Sequence, residues 1–330
     1  MPGGSRTNRR SAESVRAESL QPPQLSVSPE LFRKFQQLIY SETGIWLGNS
    51  KTALLSGRLY RRLMTLGIPT LKEYYELVSV PDGLEERARM IDAITTNETR
   101  FFREPRQFDF LVEQVFPRWS AEATQGLRPK RVRIWSAGCA SGEEPYSLAM
   151  LLAQYLPAEQ GWDTRIFATD ISNRVLERAR HGIYDATRSE GIPKELLRKF
   201  MLRGFADQQG RVKVKVGIQE MVDFARLNLN QSPYPVDGPF DVILCRNVLI
   251  YFNAESRKRA VTSLLGHLAP NGYLFVGHAE NLTSVSTQLR SIEPTIYVKT
   301  TSATGPSVTV LEGTESDPER QRAIATSASR

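Results

Sequence analysis

Through the first hundred positions the apolar residues recur at helical spacing. Ser28-Pro29 reads as an N-cap followed by proline at the first helical position, and Leu31, Phe32, Phe35, Leu38 and Ile39 continue on one face. A second helix is expected from about Ser50 to Leu66. It stops at Gly67, and its stripe is Leu54, Leu55, Leu59 and Leu63 or Leu66. A capping box, Thr70 to Glu73, opens a third helix carrying Tyr74, Leu77 and Val78. A fourth covers roughly Leu84–Ile94, and a linking helix runs from about Pro105 to Val115.

Beyond this point the period changes to strand–helix alternation. Strands are predicted at Val132–Trp135, Arg165–Ala168, Val222–Leu227, Phe240–Leu244 and Tyr273–Val276, with a final pair near Leu289–Glu293 and Thr295–Lys299. Helices fall at Glu144–Leu156, Asn173–Arg180 and Ser256–His267. This alternation implies an α/β fold with a doubly wound parallel sheet, which takes ligands at the C-terminal strand edge. Between Tyr184 and Glu220 the alternation is interrupted. There RVKVKV (Arg211–Val216) alternates basic and apolar residues like an edge strand, so a small β-rich insertion is expected. The resulting division is a disordered tail (1–27), an all-α N-terminal domain (28–100) and a linker helix (101–130). A sheet domain (131–299) with its insertion at about 184–220 follows, then a second disordered tail (300–330).

Composition narrows the picture. The 330 residues are 40% hydrophobic and 24% charged, with a formal net charge of +7. That suits a globular protein with an acidic partner, whether nucleic acid, an anionic membrane or an acidic protein surface. Two cysteines, Cys139 and Cys245, support neither a disulfide framework nor a zinc site. The opening MPGGSRTNRRSAES lacks the apolar core of a signal peptide, and the apolar run Leu148–Leu156 is too short for a bilayer. A cytoplasmic protein without membrane insertion is the expectation, with monomer as the default state.

The stretch IWSAGCASGEEPYS (134–147) carries the first chemical signal. Strand, glycine loop and helix form a nucleotide seat, yet Gly138 and Gly142 are spaced G-x-x-x-G rather than G-x-G-x-x-G. The helix then opens with Glu143 and Glu144, which repel a pyrophosphate. A ligand with a ribose, a positive charge and no phosphate fits better, and S-adenosylmethionine is such a ligand. One of the two glutamates, Glu144 by preference, can hold its ammonium by a charge-assisted bond. Both also serve simply as acids favourable to the helix dipole. Asp170, ending the second strand, suits a ribose diol or an N-cap for the next helix.

Five stretches carry a family resemblance: TTNETRFFRE (95–104), WSAGCASGEEPYS (135–147), ATDIS (168–172), CRNVLIYF (245–252) and GHAENL (277–282). In this order they resemble the chemotaxis receptor methyltransferases of CheR type, over roughly residues 28–299. The resemblance implies a class I S-adenosylmethionine-dependent methyltransferase (Rossmann-like) sheet behind a helical domain, with a small inserted β-subdomain. It implies an O-methyltransferase esterifying glutamates on bacterial chemoreceptors, with S-adenosylhomocysteine as product. Carried over by position, Asn97, Thr99 and Arg103 contact the cofactor, Glu144 its methionine portion and Asp170 its ribose. Asn228 and Leu229 border the adenine, Arg246 and Asn247 line the cofactor, and Tyr251 lies close to the sulfonium. Ala279 departs from the serine often found in this family's GHSEN.

A carboxylate is already nucleophilic at neutral pH, so no general base is required. The sequence has no N-P-P-Y-like tetrapeptide, and His181, His267 and His278 form no evident acid–base set. Arg103 and Tyr251 are the candidate catalytic groups. Arg103 alternatively pairs with Glu98 or Glu104, and Tyr251 packs as an ordinary aromatic. Cys139 and Cys245 read as buried packing residues. On the second helix Arg58, Arg61 and Arg62 share a face. A solvated face is the plain reading, but the resemblance makes these residues the docking surface for a glutamate-bearing receptor helix. Some relatives also capture a receptor C-terminal pentapeptide on the β-subdomain. Two other functions compete: a non-catalytic S-adenosylmethionine-binding adaptor, and a nucleic-acid methyltransferase. The second lacks an aromatic–basic stacking array.

Overall fold

Side-chain caps and glycine stops bound several helices of the computed structural model, which describes residues 26–282 and 285–300. Ser28 Oγ accepts from the Leu31 N–H to open α1 (Pro29–Thr43), and Gly44 closes it at φ 72°. Helix α2 (Thr52–Leu66) follows a 3₁₀ turn at Asn49–Lys51, so it begins later than the predicted Ser50, and Gly67 ends it at φ 66°. Thr70 Oγ1 caps α3 (Leu71–Ser79) by accepting from the Glu73 N–H, and α4 (Leu84–Ile94) has the predicted bounds. The apolar stripes meet in one core that includes Phe35, Ile39, Leu55, Leu59 and Tyr74.

The linking helix does not stop at Val115. α5 (Pro105–Phe110) passes through a π-helical stretch, Leu111–Val115, into α6 (Phe116–Thr124). Pro117 follows the π-helical stretch directly, and its missing N–H leaves a carbonyl of that stretch without the usual helical donor.

The second half alternates β1 (Arg131–Ala137), α7 (Glu143–Tyr155), β2 (Asp163–Asp170) and α8 (Asn173–His181). The interruption then holds β3 (Ile183–Asp185), α9 (Lys194–Phe200), β4 (Met201–Arg203), β5 (Arg211–Val214) and α10 (Val216–Gln219). The chain resumes with β6 (Val222–Arg226), β7 (Phe240–Cys245), α11 (Ala254–His267), β8 (Leu268–Val276), β9 (Leu289–Glu293) and β10 (Ile296–Lys299). The large sheet has the order β6-β2-β1-β7-β8-β10-β9. Its first five strands are parallel, and β10 runs antiparallel to both neighbours. Successive side chains feed two cores on opposite faces: Ile134 joins α7 on one side, and Trp135 joins α11 on the other. This is the α/β, Rossmann-like sheet that the family resemblance implies.

Two strand readings need correction. RVKVKV is not an edge: β5 is the centre of a three-stranded sheet, β3-β5-β4, antiparallel to both partners. Its alternation arises because one face is covered, burying Val212 and Val214 while Arg211 and Lys213 face solvent. β8 begins at Leu268 rather than Tyr273, because Leu268 pairs with Phe240 before an irregularity shifts the register. Of the two tails expected to be disordered, residues 1–25 and 301–330 lie outside the described residues. Among the described residues no helix is long and apolar enough to cross a membrane.

Candidate active site

The order of strands reverses between β1 and β7, which opens a crevice at their C-terminal ends. A cleft of about 410 Å³ lies there, within the range of small-molecule sites. Asn97, Thr99, Arg103, Glu144, Asp170, Asn228, Leu229, Arg246, Asn247 and Tyr251 all line it. Residues from five separate sequence stretches therefore converge on one cavity.

Its floor is the loop between β1 and α7. Gly138 and Gly142 adopt φ values of 89° and 94°, where L side chains are strained. A Cβ on Gly138 would come within 2.3 Å of Val248 Cγ2, and one on Gly142 within 2.8 Å of Ala179 Cβ. Asp170 braces this loop: one oxygen accepts from the Ala140 N–H at 2.9 Å, the other from the Ser172 N–H at 2.9 Å. Burial raises its pKa against the pull of those N–H groups. The N-cap of α8 is Ser172, not Asp170. Asp170 thus keeps a second lone pair on each oxygen for a ligand hydroxyl.

The two glutamates at the start of α7 divide. Glu143 is fully buried and turned away from the cleft, bonded to Ser141 Oγ at 2.7 Å and to Arg188 at 2.6 Å. Glu144 faces the cleft, accepting from Ser136 Oγ at 2.7 Å and pairing with Arg246 at 3.1 Å. The Arg246 side chain is 1% exposed. It lies between Glu144 and Glu104, the latter at 3.4 Å, and donates to the Arg103 carbonyl. Its charge is spent on this network, and its Nε and Glu104 Oε2 have no hydrogen-bond partner. Arg246 thus lines the cleft while its guanidinium braces the Arg103 loop and Glu144.

Arg103 pairs with neither Glu98 nor Glu104 through a carboxylate. Its guanidinium donates to the Glu98 carbonyl at 3.0 Å and has no ion-pair partner among the described residues. Asn97 donates to Thr95 Oγ1, and Asn228 to the Glu42 carbonyl at 2.6 Å. After β7, Asn247 takes φ 58°. A buried carboxylate that sequence reasoning missed, Glu280, fixes this turn. It accepts from the N–H groups of Gly277, Asn247 and Ile250 at 2.6, 2.9 and 3.1 Å. Its signal stood in GHAENL, one position past Ala279. Tyr251 ends the turn, half-buried, and its carbonyl accepts from the Trp46 N–H at 2.8 Å. Ile45 and Phe252 form an antiparallel bridge beside it. The helical segment thus supplies part of the wall, including Ile45, Trp46, Lys51 and Leu54, which the sequence did not signal.

The basic face of α2 is not one surface. Arg62 is committed to Glu86, with bonds of 2.9 and 2.6 Å, and Tyr74 shares that carboxylate. Arg58 donates to the Ile94 carbonyl and to Thr96 Oγ1 and lines the cleft. Arg61 alone of the three is exposed. The charge of Arg62 is thus met within the helical segment, by Glu86 of α4. Cys139 and Cys245 are buried, and burial pushes both thiols up. Among the described residues no group of three His, Cys, Asp or Glu side chains could hold a metal.

The donor set fits S-adenosylmethionine: a carboxylate for a cation, another for a diol, and a helix start whose acids refuse phosphate. Residues 97–298 match the CheR methyltransferase SAM binding domain, and residues 30–95 the CheR methyltransferase all-alpha domain. The chain belongs to the CheR methyltransferase family. It is similar to the chemotaxis protein methyltransferase of Escherichia coli, at 38% identity over 83% of this chain and 92% of that protein. The Salmonella typhimurium protein of the same description is 36% identical, covering 83% of this chain and 91% of its own. That of Borreliella burgdorferi is 35% identical, with coverages of 83% and 96%. As a CheR methyltransferase the chain binds S-adenosylmethionine and carries out methylation in chemotaxis.

Proposed function

We propose that this CheR methyltransferase forms methyl esters on glutamate side chains in the cytoplasmic helical region of chemoreceptors. The observation that carries the reading is Arg103, a half-buried guanidinium with no carboxylate partner among the described residues, on a cleft shared with Glu144 and Asp170. An unpaired cation there suits an incoming carboxylate, which it can hold bidentately. When bound, S-adenosylmethionine supplies an electrophilic methyl group. Glu144 holds the ammonium, Asp170 the ribose hydroxyls, and Asn228 with Leu229 the adenine edge. Tyr251 steers the nucleophile toward the methyl carbon. No side chain needs to remove a proton, because the attacking oxygen is already anionic. Positioning is the main contribution, worth several kcal/mol in well-oriented cases, about 7 or more at best.

Arg61 on α2 and Lys51 in the turn just before it are proposed to meet the acidic receptor helix. The β3-β5-β4 sheet offers a second contact, for a receptor's C-terminal pentapeptide, which would raise the local substrate concentration. The cytoplasm is the proposed compartment. The test is transfer of labelled methyl from S-adenosylmethionine to receptor-containing membranes. Alkali-labile label on receptor is the expected result; alkali-stable label, or label only on nucleic acid, would refute the ester reading.

A further inference from the structure

We propose that Trp46 and Ile250 form an apolar anchor at the mouth of the cleft. It grips a nonpolar side chain about one turn from the target glutamate on an amphipathic helix, and so selects which glutamates are methylated. The proposal rests on the methyl-transfer reading above and names how its substrate is chosen.

Trp46 is 48% exposed and Ile250 42%, although both line the cleft. Single exposed apolar residues are ordinary, but two large ones from distant parts of the chain meeting at one opening form a patch. Neither is loose. The Trp46 N–H is bonded to the Tyr251 carbonyl at 2.8 Å, and its indole meets the Tyr40 ring edge-on at 5.6 Å and 89°. Tyr40 Oη in turn accepts from Asn253 Nδ2 and Ser256 Oγ at 3.1 and 3.2 Å. The Ile250 N–H is held by Glu280. A rigid, half-exposed tryptophan loses little freedom on binding, which is the profile of an interface anchor.

Charge names the occupant. Lys51, Arg58 and Arg103 line the same cleft, and none of the three has an ion-pair partner among the described residues. An acidic partner with an apolar stripe complements that rim, and a helix lays such a stripe into a groove. The spacing also agrees: residues three or four apart on a helix have Cβ atoms about 5–6 Å apart, and Trp46 is tied directly to Tyr251 through its backbone N–H in the same cleft wall.

The experiment compares the full-length protein with Trp46→Ala and Trp46→Phe. It uses a chemoreceptor cytoplasmic fragment as methyl acceptor and S-adenosylhomocysteine as calorimetric probe. Trp46→Ala is expected to raise the KM for the fragment about tenfold or more. Its S-adenosylhomocysteine Kd should rise by a much smaller factor than the KM, and Trp46→Phe should recover most of the KM loss. Peptide mapping should show methyl ester shifted away from glutamates with an apolar residue three or four positions distant. An unchanged KM and site distribution would overturn the anchor, as would a fall in cofactor affinity matching the rise in KM. If the wild type transfers no methyl group to the fragment, the ester reading itself falls and takes the anchor with it.

Discussion

Arg103 stands between two residues in left-handed backbone, Phe102 at φ 53° and Glu104 at φ 60°. Non-glycine residues seldom adopt that region, and each instance costs on the order of 1–3 kcal/mol. The turn persists because its neighbours hold it: the Phe102 N–H donates to Ser147 Oγ at 3.0 Å, and Arg246 grips the Arg103 carbonyl. Since the Arg103 side chain contributes nothing to this bracing beyond one bond to Glu98, Arg103→Ala should fold normally. Steady-state assays should show methyl transfer falling by about a hundredfold or more, with an unchanged thermal melt. Glu280 acts differently, through backbone groups. Burial raises its pKa above the ordinary 4.5 of a glutamate, while its three N–H donors pull the other way. Its folded value exceeds its unfolded one, so this group's contribution to stability is complete below about pH 4.5 and is lost as pH rises through the raised value. Glu280→Gln should remove that part of the pH dependence, as urea melts across mildly acidic pH would show. A persisting slope would assign it to Asp170, which shifts in the same direction.

At the scale of elements, local chemistry made the sequence readable. Caps at Ser28 and Thr70 placed the starts of α1 and α3, and the stop at Gly67 placed the end of α2. What failed was decided by partners rather than neighbours. Alternation in Arg211–Val214 states that one face is covered and is silent on whether both edges are paired. The π-helical stretch before α6 has no counterpart in periodicity. The cation run on α2 shows the same limit: spacing put Arg58 and Arg62 on one face, but α4 claims both. Arg62→Ala should accordingly cost about 1–3 kcal/mol, since buried Glu86 keeps the Tyr74 hydroxyl and a longer contact to Arg89, and Tm should fall by several degrees. Arg61→Glu should leave Tm unchanged and weaken receptor methylation, and the two variants together separate stability from docking. In the glycine loop, Gly138→Ala forces a Cβ against Val248 at a φ of 89°. Calorimetry should record weaker S-adenosylhomocysteine binding together with a lower melting temperature.

For the whole molecule, the strand reversal between β1 and β7 explains why motifs from residues 97 to 251 address one cleft. Those motifs were legible because each follows a strand end or links the two halves. The wall from the helical segment was not, since Ile45 and Trp46 reach the cleft only by packing against Tyr251 and Phe252, about two hundred residues away. Tyr40→Phe probes that joint: two side chains lose their shared acceptor, and Tm should drop by a few degrees with a measurable loss in S-adenosylhomocysteine affinity. The inserted sheet is tied in just as firmly. Tyr184 Oη donates to the Ser141 carbonyl at 2.7 Å, Arg188 holds Glu143, and the Tyr184 ring meets Phe101 edge-on at 5.0 Å. Tugging on that sheet would therefore have to tear an arginine from a carboxylate sealed off from water, or carry the hinge of the nucleoside seat along with it. Whatever grasps the outer strands has a mechanical handle on the seat, and by reciprocity a filled seat stiffens the handle.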